Sequence, residues 1–431
     1  MNRLARTSSW LLLEKLVKII ATLVTSVWVA RHLGPETFGD LAFALAFALI
    51  FADVSALGLR ALLQRTLLHE PQGANETLGT AFILRIIAGL GSGLIAVLTA
   101  WLLPVTTPTT LLMIAILATT FVFRSTEVFE QSFLAQQNPR PTVMARVTAS
   151  MATLGATAAF VLLDRNVLWF VAARAAEFLV MNVGFTLAYV RQAGSLPLEY
   201  SRSRAGALLN ESWPLILSGL GAILNLKVDQ VMLAQWSTRE NVGWYAAAAQ
   251  LSEAWYFIPT ILMTAAFPQL VQTKLADGAA YQRNLQRAFD AMAWLGILVA
   301  TLLTVSAGAV IDLIYGAPFA PAASVLVLHV WGGVFIAMRA PLSKWIVAER
   351  LTYVSLVTHG LGAIINIVIN ALLIPENGAM GAAVATVISY SVSAYGALWI
   401  LPATRPVALM MSLALLAPLR LARQFLRRGS S

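Results

Sequence analysis

Charged side chains lie inside several apolar stretches of membrane-spanning length, and these residues have the types and spacing to do chemistry. A charge at the centre of a span costs about 2.5–3.5 kcal/mol to insert, so intramembrane charges are functional candidates. Arginine and lysine in a water-filled cleft of low dielectric hold phosphate strongly. The candidate anion-binding residues are therefore Lys15, Lys18, Arg85, Arg124, Arg174 and Lys227. Interior carboxylates suit proton or cation coupling, and the candidates of that kind are Asp53, Asp229 and Glu253.

Pairing on one helix is the structural alternative for some of these charges. Residues three or four apart share a helix face and neutralise each other, which applies to Glu14 with Lys18, Arg124 with Glu127, and Arg174 with Glu177. The candidates with no such simple partner are Lys15, Arg85, Lys227 and Asp229. With Glu130 included, six interior cations stand against seven carboxylates. The sequence therefore leaves the sign of the charge in any cavity open.

Amides and hydroxyls form another polar group near the end of the chain. Asn366 and Asn370 are four residues apart on one helix face, and Thr386 follows a turn that contains Pro375 and Gly378. Oxygen ligands of this kind bind hard cations. The same amides also join two membrane helices through hydrogen bonds, so both interpretations stay open.

The composition identifies the elements that must position these residues. Of the 431 residues, 59% are hydrophobic and 11% are charged, whereas soluble domains carry about 25% charged residues. Apolar runs of about 20 residues recur, each long enough to cross a bilayer, and in lipid such runs must be helices. The sequence therefore predicts an all-α polytopic membrane protein. Its twelve predicted spans are 10–30, 40–62, 78–103, 108–134, 142–163, 167–190, 208–235, 242–268, 290–314, 319–347, 351–374 and 378–401.

The distribution of basic residues predicts the topology. Arginine and lysine, Arg60 and Arg146 among them, concentrate in alternate connections, which places the N-terminus in the cytoplasm. The net charge of +9 is therefore a topology signal, and no nucleic-acid partner is expected. The longest inner connection divides the chain into six-helix lobes at 1–195 and 196–403. Residues 404–431 are predicted to form a basic helix and tail at the cytoplasmic interface, held by anionic lipid.

The sequence gives no sign of a disulfide framework, a cysteine or histidine metal site, or a cleavable signal peptide. The chain has no cysteine, which excludes a disulfide framework and a thiolate metal site. Its four histidines show no metal-ligand spacing. The first span is too long and too charged for the core of a cleavable signal peptide. The connections are short, so no catalytic domain outside the membrane is expected.

A repeated hairpin relates the two halves of the chain. In the first half, Gly39 closes a short hinge 29 residues after Trp10, and in the second half Gly243 closes a similar hinge 30 residues after Trp213. Chance similarity between apolar hairpins is the alternative. Repeats that meet around a site near the bilayer midplane are a recurrent plan of transporters.

The hinge Leu33-Gly34-Pro35-Glu36-Thr37-Phe38-Gly39, its echo at Gly243 and the stretch from Asn366 to Thr386 together resemble a known family. They are similar to the polysaccharide exporters of the multidrug/oligosaccharidyl-lipid/polysaccharide (MOP) superfamily, above all to O-antigen (Wzx-type) flippases. The resemblance covers roughly residues 8 to 400. It implies two six-helix lobes in a V shape around a cavity lined by spans one, two, seven and eight.

The resemblance also implies a function. The expected substrate is an oligosaccharide on undecaprenyl pyrophosphate, moved across the bacterial cytoplasmic (inner) membrane by ion-coupled alternating access. In relatives that flip peptidoglycan precursor, an acid on span seven and polar groups on spans eleven and twelve bind sodium. The matching positions here are Asp229, Asn366, Asn370 and Thr386. Asn370 stands where an acid can occur, which leaves sodium and proton coupling open.

We therefore predict a multi-pass flippase with no covalent chemistry and no cofactor beyond a coupling sodium ion or proton. The expected partners are the lipid-linked substrate, membrane lipids and polysaccharide polymerase machinery, and the protein is expected to be a monomer. A multidrug/cation antiporter of the same superfamily is the nearest alternative, although six interior cations count against it. A membrane polymerase or ligase would need a large outer loop, and a scaffold would have no use for so many costly charges.

Overall fold

The computed structural model describes residues 3–351, 353–418 and 420, and within these residues the chain is helical with no strand. Ten segments are long and apolar enough to cross a membrane in this described part. The helices are α1 (Arg3–Ser55), α2 (Leu59–His69), α3 (Ala74–Leu102), α4 (Pro108–Phe123), α5 (Glu127–Ala135), α6 (Arg140–Leu162), α7 (Val167–Ala193), α8 (Arg202–Trp236), α9 (Arg239–Glu253), α10 (Phe257–Ala276), α11 (Gly278–Tyr315), α12 (Ala322–His329), α13 (Gly332–Ala348), α14 (Tyr353–Ala394) and α15 (Arg405–Leu415). The prediction of an all-α polytopic fold is confirmed.

Two of the long helices contain a glycine with non-helical backbone angles. In α1 this residue is Gly34, with φ of 73°, and in α14 it is Gly378, with φ of 51°. Pro35 and Pro375 lie beside these breaks and cannot donate a helical hydrogen bond. Each broken helix covers most of two predicted spans, 10–30 and 40–62 for α1 and 351–374 and 378–401 for α14. The count of twelve spans and the cytoplasmic N-terminus stay predictions.

The chain divides into two compact units, residues 1–243 and 244–431. The predicted lobe boundary at residue 195 stays a prediction. In the first unit, α1 packs against α3, α4, α6 and α8, while α3 packs on α4 and α6 packs on α7. One apolar core lies between α2, α3, α5 and α7, where the rings of Phe129 and Tyr189 stack with their centroids 4.6 Å apart.

In the second unit, α11 packs against α10, α12, α13 and α15, and α13 packs against α14. Its core includes Trp255, Met263, Met292 and Ala337. Many large apolar side chains elsewhere are exposed, and Val305 is 84% exposed. Such surfaces suit contact with lipid tails.

The helix α15 lies in the segment predicted to form a tail at the membrane interface. Its buried residues face α11, and the Trp294 indole N–H donates to the carbonyl of Ala414 at 3.1 Å. Arg420 pairs with Asp290 of α11. The other arginines of the predicted basic tail, Arg423, Arg427 and Arg428, lie outside the described residues. The interfacial position of the tail stays a prediction.

Candidate functional site

A buried carboxylate in the first unit is surrounded by three arginines. The helix α4 ends at Phe123, and a tight 3-10 turn leads into α5, which begins at Glu127. This turn brings Arg124 Nε to 3.0 Å from the Glu127 carboxylate, which also contacts Arg85 Nη2 at 2.9 Å and Arg60 Nη2 at 3.6 Å. These four residues are called the Glu127 cluster below.

The four side chains of the Glu127 cluster differ in how much of each is exposed. The side chains of Glu127 and Arg85 are 5% and 6% exposed, Arg124 is 14% exposed, and Arg60 is 64% exposed. The buried pair therefore lies at the inner end of the cluster, and Arg60 and Arg124 are its more exposed members. One carboxylate against three guanidinium groups gives these four residues an excess of positive charge.

Asp53 of α1 lies beside this cluster, within electrostatic reach of Arg124 and Arg60. Its carboxylate rests against the backbone of α8 at Gly219, where a Cβ atom would come within 2.7 Å of Asp53 Oδ2. The absence of a side chain at Gly219 therefore makes room for the carboxylate. With Asp53 counted, the charges around Glu127 still sum to a positive value.

A second group of charges joins α1, α5, α6 and α7. Arg146 contacts the carboxylates of Glu130 at 2.6 Å and Glu14 at 3.3 Å. In the sequence interpretation Arg146 belonged to a connection between spans. In the structure it lies in the second turn of α6, because that helix begins at Arg140. Glu14 therefore hydrogen-bonds Arg146 of another helix, and its contact with Lys18 is electrostatic only.

Two of the pairs predicted from a spacing of three residues do form, although the first joins a 3-10 turn to the start of α5 instead of lying within one helix. Arg124 contacts Glu127, and Arg174 contacts Glu177, which also accepts a hydrogen bond from Ser150 at 3.1 Å. Arg85, which has no partner on its own helix, finds one in Glu127 of a different helix.

The remaining cationic candidates also lie in the first unit. Lys15 is half-buried and Lys18 is exposed on α1, and Lys18 lies within electrostatic reach of Arg146 and Arg174. Lys227 is half-buried on α8. All six candidates for anion binding therefore belong to one compact unit, although their role in binding stays a prediction.

The two repeated hinges pack directly on each other. A Cβ atom at Gly39 would lie 1.9 Å from the carbonyl oxygen of Arg239, and one at Gly243 would lie 2.1 Å from that of Pro35. Arg239 also pairs with Asp40 at 3.0 Å, and its guanidinium lies over the Phe43 ring. The two glycines are therefore needed for a reciprocal backbone contact between the halves of the repeat.

The amides and hydroxyls near the end of the chain form one buried network in the second unit. Asn370 donates to Asn366 at 2.8 Å, and Asn366 donates to Ser389 at 3.0 Å. The Thr386 and Tyr245 hydroxyls are 2.7 Å apart, and Ser389 donates to the carbonyl of Thr386. The structure thus brings three of the four predicted sodium ligands together.

The other ion-coupling candidates are divided between the units. Asp229 is fully buried on α8 in the first unit, and Glu253 is half-buried at the end of α9 in the second unit. The four-residue sodium site stays a prediction. Among the described residues, histidine and carboxylate side chains form no group of three that would hold a metal ion.

Sequence reasoning left several charged residues out of the candidate site. Arg60 and Arg146 were assigned to connections, because each lies within two turns of the start of its helix. Arg339, in the middle of α13, was not among the candidates. His329 is fully buried and its Nδ1 lies 2.9 Å from the Ser252 hydroxyl. No spacing in the sequence signals that contact, since the two residues are far apart along the chain.

Comparison with known families gives two overlapping matches. The model of the polysaccharide biosynthesis protein family matches residues 4–274, and the model of the lipid II flippase MurJ matches residues 170–420. Each match covers more than half of the chain. The search of curated proteins found no match.

Solved structures with the same fold include flippases and drug transporters. The lipid II flippase MurJ, in an inward closed conformation, has a TM-score of 0.74 at 12% identity, over 90% of this chain and 86% of that chain. An inward-facing multidrug resistance MATE family transporter has a TM-score of 0.65 at 14% identity, over 92% and 95% of the two chains. A MOP superfamily transporter from Pyrococcus furiosus has a TM-score of 0.58 at 15% identity, over 95% and 96%. These likenesses show the fold.

Proposed function

Because this chain belongs to the polysaccharide biosynthesis protein family of the MOP superfamily, we propose that it moves an undecaprenyl-pyrophosphate-linked oligosaccharide across the bacterial cytoplasmic membrane. The oligosaccharide is the repeat unit of an O-antigen or exopolysaccharide. Movement proceeds by ion-coupled alternating access and makes or breaks no covalent bond. Membrane lipids and polysaccharide polymerase machinery are the further partners.

The observation that carries this proposal is the excess of positive charge around Glu127. A pyrophosphate needs several cationic donors, and arginine binds its oxygens through two hydrogen bonds at once. Arg60 and Arg124 are exposed enough to turn toward such a group, while the buried Arg85–Glu127 pair holds them in place. Lys15, Lys18, Arg174 and Lys227 are the other proposed contacts to pyrophosphate and to acidic sugars.

Ion coupling is proposed for the carboxylates and for the buried amide network. Asp53 lies within electrostatic reach of Arg124 and Arg60, so binding of an anion there and protonation of Asp53 would influence each other. Asp229 and Glu253 are the other proposed carboxylates. Asn366, Asn370 and Thr386, which share one buried network in the second unit, offer oxygen atoms that suit sodium.

The decisive test uses purified protein in liposomes that contain a fluorescent undecaprenyl-pyrophosphate oligosaccharide. Transport is measured as the rate at which the substrate becomes accessible to a membrane-impermeant reagent. Hydrogen bonds to charged groups contribute about 1.5–3 kcal/mol each, so Arg60→Gln and Arg124→Gln should each slow transport by about tenfold or more. Arg60 is well exposed, so its replacement leaves no buried charge unpaired.

Arg191→Gln is the matched control, because Arg191 is exposed at the end of α7 and is remote in sequence from the cluster. It removes the same charge and should leave transport unchanged. Equal rates in Arg60→Gln, Arg124→Gln and the control would show that the cluster does not bind the pyrophosphate.

The likeness to a multidrug resistance MATE family transporter favours a second candidate function, the export of cationic drugs in exchange for an ion. A deletion strain separates the two. The flippase proposal expects lipid-linked repeat units to accumulate and surface polysaccharide to be lost, with both restored by the intact gene. Normal glycan with new sensitivity to cationic drugs would support the antiporter.

A further inference from the structure

An arginine within the membrane-spanning helices of the second unit has no carboxylate partner among the residues that the structure describes. Arg339 is half-buried in the middle of α13, two residues before Pro341. Its guanidinium donates to the carbonyl and the hydroxyl of Ser393 at 2.8 and 3.3 Å, to the Thr358 hydroxyl at 3.1 Å, and to His359 Nε2 at 2.7 Å. Arg339 thus ties α13 to both ends of α14.

These four acceptors carry no negative charge. A guanidinium has no lone pair to offer and stays charged in proteins, so His359 Nε2 must be the acceptor of the hydrogen bond from Arg339. That places the imidazole in its neutral form with a proton on Nδ1. The hydrogen bonds satisfy the geometry of the donors but leave the positive charge uncompensated.

Five of the six carboxylates of the second unit are paired with other residues or lie far from Arg339 along their helices. Residues 244–431 contain six of them. Three are paired with Arg283, Arg420 and Lys274, namely Asp277, Asp290 and Glu349. Within the described part of the chain, no ion pair includes Arg339.

The other three carboxylates are Glu253, Asp312 and Glu376. Glu376 lies seventeen residues beyond His359 on α14, which is about 25 Å of helix. The contacts of Val334 with Gly296 and of Glu349 with Tyr281 show that α13 runs antiparallel to α11. This direction places Arg339 near the level of Asp290 and well away from Asp312, which lies in the last turn of α11.

We propose that Arg339 binds a phosphate oxyanion between α13 and α14. The oxyanion belongs either to the headgroup of an anionic lipid or to free phosphate. It takes the place of His359 as the acceptor at Nη2, where a charged oxygen makes a shorter and stronger hydrogen bond than a neutral imidazole. Basic pockets between membrane helices are known binding sites for anionic lipid headgroups, and this site is independent of the transport function proposed above.

The experiment measures the thermal stability of the purified full-length chain in a neutral detergent. Three additions are titrated separately: phosphatidylglycerol, phosphatidylcholine and inorganic phosphate. A stabilising shift with phosphatidylglycerol alone assigns the oxyanion to a lipid headgroup, and an equal shift with inorganic phosphate assigns it to free phosphate. In either case Arg339→Gln should raise the half-saturating concentration by about tenfold or more, since hydrogen bonds to charged groups contribute about 1.5–3 kcal/mol.

Arg405→Gln is the matched control. Arg405 is an exposed arginine of the same unit that donates to the carbonyl of Trp399, so its loss should leave the shift intact. His359→Ala removes the competing acceptor while keeping the charge, and it should tighten binding several-fold.

Arg339→Lys keeps a folded, charged reference if Arg339→Gln does not fold. It should bind several-fold more weakly than wild type, because a single ammonium nitrogen replaces the two Nη atoms of the planar guanidinium. The proposal is overturned if phosphatidylcholine shifts the melting temperature as much as phosphatidylglycerol. It is also overturned if Arg339→Lys and His359→Ala both bind as wild type does.

Discussion

Adding one methyl group at Gly39 should separate the two hinges of the repeat. A Cβ atom there would lie 1.9 Å from the carbonyl oxygen of Arg239, whereas ordinary contacts begin at 3.4 Å. The backbone of α1 would therefore have to move away from the start of α9 by about 1.5 Å. The three atoms nearest to the added Cβ are all backbone atoms, of Arg239 and Gly243, so no side chain can rotate away to absorb the change.

The expected cost follows from two opposing terms. Forcing an extra methyl group into a packed contact costs about 1–3 kcal/mol, while replacing glycine by alanine inside a helix gains about 0.5–1 kcal/mol. The net loss is about 1–2 kcal/mol, and the displaced backbone also weakens the pair between Arg239 and Asp40. For units of roughly 200 residues, each kcal/mol lowers the melting temperature by about 2–4 °C.

The assay is thermal unfolding of the purified chain in detergent for Gly39→Ala, Gly243→Ala and the double variant. Both single variants should melt lower than wild type. The double variant should lose less than their sum, because both methyl groups disrupt the same contact. Gly91→Ala and Gly155→Ala are the controls, since these helical glycines have no atom within 4 Å of the added Cβ.

The controls should melt at or slightly above wild type. If Gly39→Ala and Gly243→Ala behaved as the controls do, the two hinges would not touch in the protein. Strict additivity in the double variant would show that the two glycines act in separate contacts.

Three further predictions concern single side chains. Glu127→Gln leaves the buried Arg85 without its counter-charge and should destabilise the chain by about 3–5 kcal/mol in thermal unfolding, whereas the exposed control Glu199→Gln should have no effect. Backbone amide hydrogen bonds at the start of α11 lower the pKa of Asp277 below its usual value, so the carboxylate stabilises the fold above that usual value and this contribution disappears as pH falls through the lowered pKa. Asp277→Ala should thus lower the melting temperature at neutral pH and lose its effect in acid, while Asp277→Asn keeps most of the cap. Asn370→Asp should make transport in liposomes depend more steeply on sodium, and an unchanged sodium response would count against a cation site in that network.

Several features of the charged site could be predicted from spacing along one helix. Residues three apart meet wherever the chain is helical or nearly so, and Arg124 therefore finds Glu127. Arg85 has no partner at such a spacing, and its contact with Glu127 depends on how α3 packs beside α5. The sequence also could not decide whether Arg146 lies in a connection or in a helix, because periodicity locates a span but leaves its ends uncertain by several residues.

The repeated hinge shows both the strength and the limit of sequence reasoning. The matching positions of Gly39 and Gly243 single out the hinges as related elements. Matching positions in the sequence do not predict that the two hinges touch. That contact requires a glycine at both positions, because a Cβ atom on either would overlap the backbone of the other hinge.

The sequence by itself determined that this is a helical membrane protein, because a backbone in lipid must satisfy its hydrogen bonds locally and long apolar runs leave no other solution. It also determined which charges are expensive enough to need a use. How those charges combine depends on the tertiary structure: three arginines surround Glu127, two carboxylates contact Arg146, and within the described residues Arg339 contacts neutral acceptors only. The physical reason is that burial and helix periodicity are local properties of the chain, whereas the partner of a buried charge is chosen by which helices pack together.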